Sequence, residues 1–138
     1  MSNGPSRTGV IAIALGDAGG IGPEVALKAV AAELDADDSR YLLIGDEALI
    51  HHLNEQLGFK LPVTSETAAR PADRVVVHRA SPEPLPSSLS VGSAEHARHA
   101  ITCLKEGAAL CLRGGADALV TAPVNKESIG GRKLLFHN

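Results

Sequence analysis

A chain of 138 residues that is 44% hydrophobic but only 2% aromatic can bury the core of one domain, built from Leu, Ile, Val and Ala. Its 13 basic and 16 acidic residues give a net charge of −3 with no basic stripe or aromatic platform, which argues against a nucleic-acid partner. No apolar stretch approaches a membrane span and the opening MSNGPSRTG lacks a signal-peptide core, so the expectation is a cytoplasmic enzyme with no membrane partner.

In chain order, the apolar run GVIAIAL over residues 9–15 predicts a strand, and EVALKAVAAEL predicts a helix near 23–35. YLLIG predicts a strand near 41–45. Asp46 then caps a helix that places Ile50, Leu53 and Leu57 on one face and stops at Gly58. Leu61 to Thr64 is a weaker strand candidate, and Arg74 to His78 (RVVVH) a better one. Residues 80–92 hold Pro82, Pro84, Pro86 and several serines, which predicts an ordered loop or linker. A long helix is expected over 94–113, capped by Ser93, with Ala97, Ile101, Leu104, Ala108 and Cys111 or Leu112 turned inward. Gly114 and Gly115 end it, and the run ALVT reads as a short buried strand. Strands alternating with helices predict a mainly parallel sheet with helices on both faces.

Two segments carry chemistry. Gly16-Asp17-Ala18-Gly19-Gly20-Ile21-Gly22-Pro23-Glu24 lies between a strand and a helix. Its glycines permit positive φ and close backbone approach, Pro23 suits a first helical turn, and free N–H groups at the helix start favour an anion. Asp17 would repel a phosphate, so it meets a hydroxyl, an ammonium group or the amides of its own loop. The spacing matches neither G-x-G-x-x-G nor the P-loop pattern, so a plain tight turn is an equal reading from the residues alone. The second segment, Ala116-Asp117-Ala118-Leu119-Val120-Thr121-Ala122-Pro123-Val124-Asn125-Lys126, ends a strand with polar residues at its carboxyl end, where α/β sheets bind ligands. A lysine there neutralises phosphate, holds a substrate oxygen or transfers a proton; alone, it reads as a solvated lysine after a turn.

Together, GDAGGIGPE and DALVTAPVNK resemble the 4-hydroxythreonine-4-phosphate dehydrogenase family of vitamin B6 synthesis, whose fold is that of isopropylmalate dehydrogenase. The likeness spans nearly all of residues 9–129, with SAEHARHA (Ser93 to Ala100) between the motifs. It implies that residues 1–138 are the N-terminal α/β portion of a two-domain, homodimeric dehydrogenase whose downstream part is absent, and that they are inactive alone. It also implies NAD-dependent, metal-assisted oxidation, with decarboxylation, of a phosphorylated four-carbon acid. Lys126 becomes the candidate catalytic residue. Asp17, Gly19, Gly20 and Gly22 become candidate cofactor contacts, and Thr121, Asn125 and Lys126 candidate substrate contacts. The divalent metal (Zn, Mg or Co) finds its ligands outside this chain. D-erythronate or D-threonate 4-phosphate is an alternative substrate, and an inactive ligand-binding or interaction domain a third reading.

The departures are Ala18 for the usual proline, Gly19 for the usual alanine, and a likeness that fades after Ile129. His137 falls near the family's phosphate-gripping histidine, but Phe-His-Asn is not Gly-His-Thr and receives no role. His96 and His99, at i and i+3, can share a metal, yet no third ligand is evident and both read as surface or helix-packing residues. Cys103 and Cys111 lie about 12 Å apart along one helix axis. That exceeds the roughly 7 Å a disulfide spans, so they read as structural thiols.

Overall fold

The computed structural model describes residues 9–86 and 93–123. Five short runs rich in β-branched and aliphatic residues form one sheet: β1 (Val10–Ala14), β2 (Arg40–Ile44), β3 (Val63–Ser65), β4 (Val75–His78) and β5 (Ala118–Thr121). Every pairing is parallel, in the order β3-β4-β2-β1-β5. Between them run α1 (Gly22–Glu33), α2 (Glu47–Gln56) and α3 (Ala94–Leu112), with a single 3-10 turn over Glu66–Ala68.

The helices divide between the two faces, as a sheet buried on both sides requires. Leu27 and Val30 of α1 and Ile50 of α2 pack on Ile13, Leu43 and Val77. On the opposite face, Cys103 and Leu110 of α3 pack on Ala12, Ala14 and Ile44. Leu27, Leu43, Ile44 and Ile50 are fully buried, each contributing about 1.5–3 kcal/mol relative to exposure.

Helix boundaries follow local chemistry. The Asp46 carboxylate accepts from Leu49 N–H at 3.0 Å, and the Ser93 hydroxyl accepts from His96 N–H at 3.2 Å. Gly58 and Gly114 both take positive φ just past a helix end, the conformation glycine adopts without a Cβ penalty.

Four expectations need correction. The weaker strand candidate forms at Val63–Ser65, because Asn54 of α2 holds both backbone groups of Leu61 and only the chain beyond is free to pair. The buried face of α3 is His96, Ala97, Ala100, Cys103, Gly107 and Leu110, one position out of phase with the expected set; of that set only Ala97 is buried. Gly107 causes the shift. A Cβ there would lie 2.5 Å from Leu119 Cδ1 and 3.2 Å from Ile44 Cδ1, so the helix rests on the sheet through its glycine and turns Leu104 and Leu112 outward. Likewise ALVT is not buried: among the described residues β5 ends the sheet, and Val120 is 49% exposed. Leu57, at the C-cap of α2, also faces outward.

The amino edge of the sheet is tightly bonded. The Arg74 guanidinium donates to the carbonyls of Leu34, Asp37 and Ser39 and to the Asp37 carboxylate. The Tyr41 hydroxyl donates to the same carboxylate at 2.8 Å. That hydrogen bond, with the Ser39 N–H and Arg74, holds Asp37 below the usual carboxylate range, while burial and Asp37 push Tyr41 up to about 12.

Candidate functional site

At the carboxyl edge the two motifs of the sequence meet. β5 pairs directly with β1, Ala14 opposite Thr121, and the next amide, Ala122 N–H, donates to Ala14 C=O at 2.9 Å. On the other side, Leu15 N–H donates to Ile44 C=O at 3.1 Å. The chain leaves β1 to one side through α1 and reaches β5 on the other through α3. A crevice opens where strand connections diverge in this way.

The loop after β1 closes on itself. Gly16 takes φ +79°. The Asp17 side chain is only 3% exposed, and its Oδ1 accepts from Gly19 N–H at 2.9 Å, while Gly20 N–H donates to Asp17 C=O at 2.9 Å. Of the three partners expected for Asp17, its own loop amides are the ones it has. Gly22 opens α1, wedged between the strand ends: a Cβ there would lie 2.5 Å from the carbonyl oxygens of both Leu15 and Pro123. Gly22 therefore serves the close approach of α1 to the β1–β5 junction. Gly20 has ordinary space around it, its Cβ position 3.6 Å from Asp17 O.

Thr121 stands exposed at the end of β5. Asn125, Lys126 and His137 lie outside the described residues, as do residues 87–92 of the proline-rich loop.

Of the two roles expected for His96, surface or helix packing, its burial fits the second: it is 8% exposed in the first turn of α3, its Nδ1 3.6 Å from Asp17 Oδ1 and without a hydrogen-bond partner. The sequence did not disclose that it faces the Asp17 loop, though a signal was available. As the third residue after the Ser93 cap, His96 belongs to the helix N-terminus, and the helix before a parallel strand starts at the carboxyl edge.

His96 lines a cavity of about 500 Å³ between the Asp17 loop, the start of α2 and residues 85–86. Asp46 builds its wall: besides capping α2, it accepts from Leu85 N–H at 3.0 Å and so ties down the loop after β4. A neighbouring hollow of about 380 Å³ shares Asp46 and includes His51, Arg79 and His99.

Two titratable groups below this edge are tuned by burial. His99 is held below its usual range, against the pull of Asp46, and the Cys103 thiol beside it is pushed up to about 12. Such a thiol stays protonated and inert near neutral pH. Further along, both ring nitrogens of His78 face carboxylates, Nδ1 that of Glu66 and Nε2 that of Glu106 at 2.8 Å. Glu106 also accepts from Arg113 at 2.8 Å, and these two partners hold it below the usual carboxylate range. Among the described residues, no three His, Cys, Asp or Glu side chains are grouped to hold a metal ion, and no helix is long and apolar enough to cross a membrane.

Residues 37–138 match the family described as "Pyridoxal phosphate biosynthetic protein PdxA". D-threonate 4-phosphate dehydrogenase of Salmonella typhimurium is 33% identical over 89% of this chain and 39% of its own length. 4-hydroxythreonine-4-phosphate dehydrogenase of Synechococcus sp. is 37% identical over 86% of this chain and 34% of its own. The crystal structure of a 4-hydroxythreonine-4-phosphate dehydrogenase from Burkholderia phymatum superposes with a TM-score of 0.76 at 31% identity, covering 96% of this chain and 42% of that one. The chain thus spans about two fifths of the length of these relatives.

Proposed function

Because this chain belongs to the PdxA family, we propose that it supplies the carboxyl-edge wall of a dehydrogenase site that oxidises the secondary alcohol of a phosphorylated four-carbon acid with NAD. One observation supports the reading above the others. β5 lies against β1, so GDAGGIGPE and the described part of the second motif, DALVTAP, separated by about a hundred residues, open onto one crevice.

In this site the loop of Asp17, Gly19 and Gly20 forms part of the floor, with Gly22 fixing its distance from β5. Thr121 and Asn125 hydrogen-bond the substrate, and Lys126 neutralises its negative charge and orients it. NAD, when bound, accepts the hydride. The divalent metal that the resemblance implies finds no ligand set among the described residues, and no step is assigned to it. The working unit is a cytoplasmic homodimer in which the part of the family fold beyond these residues completes the site.

The preferred substrate is 4-phosphooxy-threonine, whose oxidation leads to decarboxylation. A second reading, D-threonate 4-phosphate, rests on the Salmonella relative, which is similar over nearly the whole chain. The two differ in an ammonium or a hydroxyl group beside the carboxylate. The test is NADH formation by the purified gene product with each compound at equal concentration. A kcat/KM at least tenfold higher for one assigns it, and turnover of neither removes the dehydrogenase reading in favour of an inactive binding domain.

A further inference from the structure

We propose that the cavity beside the Asp17 loop is a hydroxyl-recognition site in which His96, oriented by Asp17, accepts a hydrogen bond from an alcohol group of a bound small molecule. The dehydrogenase reading guides the choice of probes; the site itself rests on the geometry.

A buried imidazole nitrogen without a partner is uncommon, since buried polar atoms nearly always find one. The acceptor that His96 Nδ1 faces is Asp17 Oδ1, at 3.6 Å. That gap is too long for a hydrogen bond, and a movement of less than 1 Å closes it. Asp17 is itself fixed, because its Oδ1 already holds the amide of Gly19. A carboxylate facing Nδ1 selects the tautomer with its proton there and leaves Nε2 as the acceptor of the ring. His96 lines the cavity, so that acceptor is available to a ligand donor.

The chemistry of the walls narrows the donor. The Asp46 carboxylate lines the cavity and accepts from the backbone amides of Leu49 and Leu85, while that of Asp17 faces His96. A phosphate or carboxylate set against Asp46 would be repelled. A metal ion lacks a third ligand among the described residues. Apart from the second imidazole, that of His52, the remaining side-chain surface is carbon, from Ala18, Ala48, Leu49, Leu85 and Pro86. A neutral, hydroxylated carbon skeleton satisfies both kinds of wall. Its volume of about 500 Å³ lies in the range of small-molecule sites. Two ligands of the proposed reaction carry such a group: the ribose of the nicotinamide nucleotide and the central carbons of a four-carbon sugar acid.

The experiment is nitrogen NMR of the histidine-labelled protein, with NAD and D-threonate 4-phosphate titrated separately. One of the two is expected to move the His96 Nε2 resonance, on saturation, to the position of a hydrogen-bonded acceptor while Nδ1 keeps its proton. The responding probe identifies the source of the hydroxyl. His96→Phe, which keeps a planar ring, is expected to weaken that probe about tenfold. Asp17→Asn keeps an oxygen for Gly19 N–H but removes the negative charge that favours a proton on Nδ1, and it is expected to lower the population of that tautomer and weaken binding. Circular dichroism of both variants reports folding, and the wild-type titration stands if either fails to fold.

A His96 signal that neither probe moves, or equal affinity in His96→Phe, overturns the proposal. Turnover with an unresponsive His96 overturns it while leaving the dehydrogenase reading intact. A His96 response without turnover has the converse meaning.

Discussion

Replacing Gly22 by alanine is the smallest change that tests whether the two motifs are pressed together. A methyl group on Gly22 would lie 2.5 Å from the carbonyl oxygens of Leu15 and Pro123, where ordinary contact starts at 3.4 Å. Each oxygen must retreat by 0.9 Å (3.4 − 2.5), or α1 must back away from the junction. Neither oxygen sits on a side chain that can swing aside, and Leu15 is anchored through its amide to Ile44. Overpacking at one site costs about 1–3 kcal/mol, and two rigid contacts place this one at the upper end. The better helix propensity of alanine offsets up to about 1 kcal/mol. The expected net loss is about 2–3 kcal/mol, equivalent to a fall in Tm of roughly 6–15 °C. Gly20→Ala is the control, because its methyl meets Asp17 O at 3.6 Å without backbone strain, and it should stay within about 0.5 kcal/mol of wild type. Urea unfolding followed by circular dichroism measures both. Wild-type stability in Gly22→Ala would show that the β1–β5 junction is loose and would remove the steric account of this glycine.

The Cys103 thiol, pushed up to about 12 by burial, should resist a maleimide at pH 8 while half-buried Cys111 reacts, giving one adduct in the native protein and two in denaturant by mass spectrometry; two adducts in the native protein would refute the burial of Cys103. Burial holds His99 below its ordinary 6.5, so the unfolded chain binds the proton more readily. Its contribution to stability is then complete above pH 6.5 and lost as pH falls through the folded value. His99→Gln should flatten the curve in that window and leave a separate fall below pH 4.5, where Asp37 and Glu106 take up protons; an unchanged curve between 6.5 and 4.5 would refute it. In the gene product extended through the rest of the family fold, Lys126→Ala should lower kcat/KM by about two to three orders of magnitude with unfolding unchanged, and Lys126→Arg should partly restore it if charge is what matters; near-wild-type kinetics would leave TAPVNK a structural turn. The outer edge of β5, with Val120 exposed and Leu112 90% exposed on α3, should drive self-association of residues 1–138 into a dimer or larger species in sedimentation. Val120→Lys should shift that equilibrium toward monomer, and a wild-type chain that stays monomeric at high concentration would remove the expectation.

What the sequence disclosed and what it concealed follow a common physical line. Strand and helix positions were legible because each rests on local chemistry: β-branched runs for β1, β2 and β4, and the Asp46 and Ser93 caps for α2 and α3. The phase of α3 was not, because counting apolar residues favours Leu104 over Gly107. The sheet selects the residue that lets the helix come closest, and a missing side chain has no hydropathy to count. The exposure of β5 was hidden for a related reason, since ALVT carries the same pattern in the middle of a sheet and at its margin. At the site, the loop and the strand end were both found, but their adjacency depends on strand order, which no local pattern encodes. That His96 faces Asp17 was hidden because the two lie 79 residues apart along the chain.

The contrast between the two margins of the sheet bears on how such a protein can diversify. At the amino margin one guanidinium fastens the end of α1 and the approach to β2, so a change to Arg74 releases several backbone carbonyls together. At the carboxyl margin, among the described residues, the loop after β4 is fastened to Asp46 through the amide of Leu85. Gly22 apart, residues facing the crevice can therefore be exchanged without releasing the Arg74 joint at the opposite margin. Relatives bearing the names of two different phosphorylated substrates, each about one third identical to this chain, are what a scaffold with one guarded margin and one permissive margin would be expected to produce.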